Sequence, residues 1–103
     1  MQSIVDINDE LRTKLPNLPR PHRMVMTEGV RSLPALDKWE LLRRIREFDD
    51  FTEGNDPYGE HDCVFVEMGG RNYMSKIDYY DDSFESHKEN GNRVFTIMNA
   101  SEY

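Results

Sequence analysis

Residues 63–79 read CVFVEMGGRNYMSKIDY, and this stretch decides the fold. Residues 63–68 and 71–79 read as two strands on either side of Gly69-Gly70. Paired glycines tolerate the positive φ angles of a type I′ turn, so the strands should form a tight hairpin. With these glycines as the turn, the predicted cross-strand neighbours are Val66 with Tyr73, Val64 with Ser75, and Phe65 with Met74. Both faces of the hairpin then carry apolar side chains, so we expect a sheet that is covered by helices on one face.

One strand before the hairpin in the sequence, one strand after it and two helices complete the predicted fold. Residues 93–99 contain a continuous apolar run that is typical of an inner strand. Residues 24–30 are short, apolar and rich in β-branched side chains, which also indicates a strand. Residues 3–15 and 32–48 place their apolar side chains at helical spacing, with Ser3 in position to cap the first helix. The sequence therefore predicts an α+β domain, with two helices packed on a roughly four-stranded antiparallel sheet in the order α-β-α-β-β-β.

Length and composition indicate one domain spanning residues 1–103. Hydrophobic residues make up 37% of the chain and charged residues 32%, which is polar but sufficient for a single thin core. The single cysteine, Cys63, cannot form an intramolecular disulfide. No basic start followed by an apolar run marks a signal peptide or a membrane-spanning helix. We therefore expect a reduced, cytoplasmic protein that does not bind membranes.

The charge is concentrated in one short segment. Residues 49–62 read DDFTEGNDPYGEHD and hold six carboxylates with no lysine or arginine, in a chain whose formal net charge is -7. Carboxylates this close together repel one another, which fits a solvated loop, a cation site or an acidic docking surface. Direct binding to nucleic acid normally needs a basic surface, so nucleic acid is not an expected partner. The charge favours a basic protein surface as partner instead.

The residues predicted to contact that partner all lie in the acidic segment. Its carboxylates would supply the charge, and two aromatic side chains would supply apolar contact area. The Asp56-Pro57 step could also serve only to build a tight turn, in which the aspartate bonds its own backbone. The predicted partner-binding residues are Asp49, Asp50, Phe51, Glu53, Asp56, Tyr58, Glu60 and Asp62.

Metal binding and catalysis are alternative functions for the same segment. The EF-hand pattern fails, because a loop starting at Asp50 has Gly54 at its fifth position and Asn55 at its sixth. His61 with neighbouring carboxylates could form a small metal site or act as a general base. No nucleophile elbow, phosphate-cradling loop or paired zinc motif accompanies it. We therefore assign no catalytic residue, metal ligand or cofactor, and keep an enzyme or metal-binding protein using His61 as the alternative.

Three phrases of the sequence carry a resemblance to a known family. They are NDPYGEHD at residues 55–62, KIDYYD at residues 76–81, and TIM followed by ASEY within residues 96–103. They resemble a small family described only as a domain of unknown function. Its members occur mostly in alphaproteobacteria, often on plasmids and other mobile elements. Small acidic proteins carried by such elements are often inhibitors of host defence, including anti-CRISPR and antirestriction proteins.

The functional hypothesis combines the acidic segment with this resemblance. We expect a non-enzymatic acidic binding protein that blocks a basic, nucleic-acid-binding surface of a bacterial defence complex. A third hypothesis is an antitoxin or regulator in a plasmid maintenance pair, with a small basic partner. A homodimer is also compatible with the sequence, since so short a sheet has exposed edges and bulky residues on both faces.

Overall fold

The computed structural model describes residues 2–103 and shows one mixed sheet with three α-helices. The strands lie in the order β1-β4-β3-β2. The elements in chain order are α1 (Ile4–Arg12), β1 (Arg23–Met26), α2 (Glu28–Arg31), α3 (Ala35–Glu47), β2 (Cys63–Met68), β3 (Arg71–Tyr80), β4 (Asn92–Asn99) and a final 3-10 helix (Ala100–Glu102). The prediction of an α+β domain with four strands is confirmed.

The β2–β3 hairpin forms as the sequence predicts. Gly69 and Gly70 adopt φ angles of 60° and 76°, the left-handed region that a type I′ turn requires. Val66 lies opposite Tyr73, and the other two predicted pairs also occur. β4 then pairs antiparallel with β3 and parallel with β1, which makes it an inner strand as expected.

The purely antiparallel sheet and the element order were wrong, both because of residues 24–30. The strand ends at Met26, and β1 runs parallel to β4. Thr27 has extended backbone angles and precedes a short helix, α2, so the expected second half of the strand is helical. Val30 is fully buried, and it lies in this helix instead of in a strand. The missed signal was Thr27 followed by Glu28, since a threonine and an acidic first-turn residue commonly begin a helix.

The first helix is shorter than predicted but begins where expected. Ser3 caps it, because its hydroxyl accepts a hydrogen bond from the Asp6 amide at 3.2 Å. The helix ends at Arg12, and the chain continues in turns bonded back to Leu11 and Arg12. These turns still bring Leu15 into the core, where it is 3% exposed. The last apolar residue of the predicted helix, Leu15, is therefore buried as expected, although it lies after the end of the helix.

The core lies between the helices and one face of the sheet. Helix α3 contributes three buried aliphatic side chains, and the central strands β3 and β4 contribute the larger ones. The opposite sheet face is partly open, and Phe65 on β2 is 48% exposed there. The side chains that fill the core include Leu11, Leu15, Val30, Leu41, Leu42, Ile45, Val64, Tyr73, Ile77, Phe95 and Ile97.

The final 3-10 helix fastens the end of β4 to the start of α2. The Glu102 carboxylate accepts hydrogen bonds from the Thr27 hydroxyl at 2.7 Å and from the Gly29 amide at 2.9 Å. It also accepts one from the Asn99 amide at 2.9 Å. These bonds lower the pKa of Glu102, the bond from Thr27 most of all. Residues 100–103, which the sequence predicts only as a short tail, therefore make a structural contact.

Candidate functional site

The acidic segment is a loop, residues 49–62, which joins α3 to β2 at one end of the sheet. Its last residue is tied to β3, because the Ile77 amide donates to the Asp62 carbonyl at 2.8 Å. Its first turn is built by Asn55, whose side-chain oxygen accepts from the Thr52 amide at 2.8 Å. The loop thus has a fixed course and no regular secondary structure. We call residues 49–62 the acidic loop below.

One half of the acidic loop faces the protein interior. Asp56 is 8% exposed, and its carboxylate accepts a hydrogen bond from the His61 amide at 3.1 Å. The ring of His61 stacks on Phe51 with centroids 3.7 Å apart, and its Nδ1 lies 2.9 Å from a carboxylate oxygen of Asp9 in α1. Asp56 and Phe51 therefore hold the loop against α1. A partner could reach the Asp56 carboxylate only after the loop opened, whereas Phe51 is only partly buried.

The other half of the acidic loop faces solvent. Asp49, Asp50 and Glu53 are exposed and form no ion pair with any cation of residues 2–103. Tyr58 is 87% exposed at the far side of the loop. These four residues keep the accessibility that a partner-binding role requires.

Glu60 and Asp62 take a position between these two halves. Both are half-buried, and the Glu60 carbonyl accepts a hydrogen bond from the Asn8 side chain at 3.0 Å. Burial raises the pKa of the Asp62 carboxyl, with a further contribution from the nearby carboxylates of Asp56 and Asp78. Their side chains would contribute to a partner contact only at its edge.

A buried polar network behind the loop was not predicted from the sequence. Asn8 is completely buried and donates to the Tyr79 hydroxyl at 2.7 Å, while its oxygen accepts from Nε of Arg93 at 3.0 Å. Arg93 is 2% exposed. The other nitrogens of its guanidinium donate to the Gly91 carbonyl and to the Asn90 side chain. Burial lowers the pKa of the Arg93 guanidinium. The available signal was the position of Asn8, one helical turn after Ile4 on the apolar stripe of α1.

The buried Tyr79 hydroxyl supplies a testable pH dependence. Burial raises the pKa of Tyr79 to about 12, although the hydrogen bond from Asn8 opposes the shift. An unfolded tyrosine ionises at about pH 10, so the folded state binds the proton more tightly. The resulting stability should be complete below about pH 10 and should be lost as the pH rises towards 12.

Absorbance of ionised tyrosine during alkaline titration would measure this effect. We expect a late step near pH 12 that disappears in Tyr79→Phe. Tyr103→Phe is the matched control, because Tyr103 is 83% exposed, and it should keep the late step. A late step that survives in Tyr79→Phe would contradict the assignment.

The arrangement around His61 gives little support to catalysis or metal binding. Both ring nitrogens face carboxylates, since Nε2 lies 3.5 Å from Asp56 and Nδ1 lies beside Asp9. Neither nitrogen is directed at an open site. Within residues 2–103, no group of three or more histidine, cysteine, aspartate or glutamate side chains is placed to hold a metal ion. Burial raises the pKa of the Cys63 thiol, which disfavours its nucleophilic thiolate form.

The helices of residues 2–103 lack the length and apolar character that a membrane crossing requires.

Comparisons with curated proteins and with solved structures gave no significant match. A family model described as "Protein of unknown function (DUF3768)" matches residues 26–102. The matched region contains the whole acidic loop, α3 and three of the four strands, while α1 lies outside it. The chain therefore belongs to the family described as Protein of unknown function (DUF3768).

Proposed function

We propose that this chain is a non-enzymatic binding protein that blocks a basic, nucleic-acid-binding surface of another protein. The solvent-facing half of the acidic loop makes the contact through Asp49, Asp50 and Glu53. Tyr58 adds an exposed aromatic side chain of the kind that carries interface energy. Asp56 and Phe51 support the loop from inside, and Glu60 and Asp62 lie at the edge of the contact.

The observation that carries this proposal is the set of exposed carboxylates without internal partners. On α3, by contrast, exposed charges pair with one another, since Arg43 contacts both Glu40 and Glu47. Asp49, Asp50 and Glu53 have no such partners among residues 2–103. Their field extends into solvent and attracts a basic surface over a distance of roughly 8 Å at physiological salt.

The fixed inner half of the loop makes this surface more effective. Stacking of His61 on Phe51 and the contact of His61 with Asp9 hold the loop in one conformation. A loop that is already ordered loses less conformational entropy when it binds. The exposed carboxylates can therefore meet a complementary surface without first being arranged by it.

The target of the proposed contact is a bacterial defence complex. The sequence resembles a protein family whose members occur mostly in alphaproteobacteria, often on plasmids and other mobile elements. This resemblance supports the choice, since such elements often carry inhibitors of CRISPR or restriction systems. A defence complex that binds DNA presents a basic surface to phosphate. The acidic loop would occupy that surface and exclude DNA by direct competition.

Charge reversal of the exposed carboxylates tests the proposal. The triple variant Asp49→Lys, Asp50→Lys, Glu53→Lys should abolish inhibition, because like charges now face the basic target. The measurement is DNA binding by a purified CRISPR or restriction complex in a gel-shift assay, with the chain added at increasing amounts. The wild-type chain should displace DNA at stoichiometric amounts, and less well at high salt.

A matched variant controls for the change in net charge. Glu67→Lys, Glu85→Lys, Glu89→Lys alters three exposed glutamates outside the loop and shifts the formal net charge by the same amount. This variant should retain most of the inhibition. Full inhibition by the loop variant, or inhibition at amounts far below those of the target, would refute the proposal, and the second result would indicate an enzyme.

A further inference from the structure

A cavity with basic walls lies at the start of β1. It has a volume of about 500 Å³ and is lined by Arg20, Pro21, His22 and Arg23. Both arginines are exposed, and neither forms an ion pair within residues 2–103. Two arginines thus line one cavity in a chain with 20 acidic and 13 basic residues. The cavity therefore concentrates positive charge on an otherwise acidic molecule.

Arg23 is held in place by an aromatic ring. Its guanidinium carbon lies 3.7 Å from the ring centroid of Phe84, which comes from the segment between β3 and β4. Stacking of this kind uses the face of the planar guanidinium and leaves its N–H edges free. Those edges match the geometry of two oxygens on one phosphate or carboxylate group.

His22 contributes a hydrogen-bond donor of known orientation. Its Nδ1 accepts a hydrogen bond from the backbone amide of Arg93 at 3.0 Å. The proton of the neutral ring must then lie on Nε2. Burial lowers the pKa of His22, and the charge of Arg93 lowers it further, which favours the neutral ring. The remaining nitrogen of His22 is thus a fixed N–H donor.

We propose that this cavity binds a phosphate group, with Arg20 and Arg23 as its charged ligands and the Nε2–H of His22 as a third donor. Two guanidinium groups neutralise the charge of a phosphate, and the three residues together offer several N–H donors to its oxygens. The expected ligand is compact, either inorganic phosphate or the phosphate ester of a small molecule.

The position of the cavity favours a compact ligand over a nucleic acid. β1 begins at Arg23 beside the start of β4, and the acidic loop enters β2 at the same end of the sheet. Two strands separate the two regions, which corresponds to about 14 Å between β1 and β2. A strand of nucleic acid with one phosphate in the cavity would extend its neighbouring phosphates across this end. The carboxylates of the acidic loop would repel them.

Titration of the ¹⁵N-labelled full chain with inorganic phosphate tests this site. Amide NMR signals of Arg20, His22, Arg23 and Arg93 should shift in a saturable manner, and sodium chloride at the same ionic strength should not reproduce the shifts. The double variant Arg20→Gln, Arg23→Gln should weaken the apparent affinity by about tenfold or more, since both charged ligands are lost. No saturable shift, or an unchanged affinity in this variant, would overturn the proposal.

Two controls separate the site from general effects. Arg31→Gln, Arg71→Gln removes two exposed arginines outside the cavity and should leave phosphate binding unchanged. Arg20→Gln alone keeps the stacking of Arg23 on Phe84. We expect this single variant to bind phosphate more weakly than wild type, and that loss would not result from a change in the stacking. Equal weakening by the Arg31 and Arg71 variant would show nonspecific binding and overturn the proposal.

The source of the phosphate is resolved by comparing ligands. A nucleoside monophosphate that binds at least as tightly as inorganic phosphate, and loses affinity in the double variant, supports a small phosphate ester as ligand. A single-stranded oligonucleotide that binds more tightly than both inorganic phosphate and the nucleoside monophosphate would overturn the proposal of a compact ligand. The cavity shares no residue with the acidic loop, so loss of phosphate binding and loss of DNA displacement are separate results.

Discussion

Asn8→Ala should lower the free energy of unfolding by about 3 kcal/mol, because it leaves several buried polar groups without partners. Asn8 is completely buried and bonds to three separate parts of the chain. Its amide donates to the Glu60 carbonyl and the Tyr79 hydroxyl, and its oxygen accepts from Arg93. The loss at Arg93 should dominate, since a buried cation that loses a hydrogen bond is more costly than a neutral group.

Urea denaturation of the purified variant would measure this loss. Asn72→Ala is the control, because Asn72 is exposed on β3, and its stability should stay within about 0.5 kcal/mol of wild type. In a Tyr79→Phe background, Asn8→Ala should cost less, since one of its partners has already been removed. A loss below about 1 kcal/mol in the wild-type background would show that the network contributes little.

Gly91→Ala should also be strongly destabilising, by about 2–3 kcal/mol, because the site has no room for a methyl group. A Cβ at this position would lie closer than 3.0 Å to the backbone carbonyl oxygens of Tyr80 and Lys88. Backbone atoms cannot move aside as the end of a flexible side chain can. The Gly91 amide also donates to Lys88 at 2.9 Å, and its carbonyl accepts from Arg93 at 2.8 Å. Any shift of Gly91 therefore disturbs both the entry into β4 and the buried arginine.

The control for this substitution is Gly54→Ala. A Cβ there would meet only the Thr52 hydroxyl at 3.7 Å, which is an ordinary contact. Its stability should be equal to that of wild type or higher by about 0.5 kcal/mol, because alanine reduces the entropy of the unfolded chain. Thermal unfolding of the two variants side by side would show a much larger decrease for Gly91→Ala. Similar transitions for both would contradict the steric explanation.

The hairpin could be predicted residue by residue because its information is local. Gly69 and Gly70 specify the turn, and the turn fixes which residues of β2 and β3 face each other. The start of α2 depends on a distant residue, since the Glu102 carboxylate accepts from the Gly29 amide 73 positions earlier. Thr27 and Gly29 alone fit a strand end as well as a helix start. Parallel pairing of β1 with β4 has the same origin in distant contacts.

The acidic loop could be located from the sequence, but the roles of its residues could not be distinguished. Asp50 and Asp56 are chemically alike, yet the first is exposed and the second is 8% exposed. The difference arises from His61, which bridges Asp56 to Asp9, 52 positions away from that histidine. Likewise, Asn8 and Arg93 meet across 85 positions. A local pattern such as the position of Asn8 on the apolar stripe of α1 indicates burial, but it does not identify the distant partners.

The parallel pairing of β1 with β4 has a consequence for folding during synthesis. Residues 23–26 can find their parallel neighbours only after residues 94–97 have been made, and Thr27 needs the carboxylate of Glu102. The outer strand β1 can therefore dock only after residues 94–97 have left the ribosome. Until then the apolar side chains of β1 lack their neighbours in β4, and exposed apolar surface of this kind promotes aggregation.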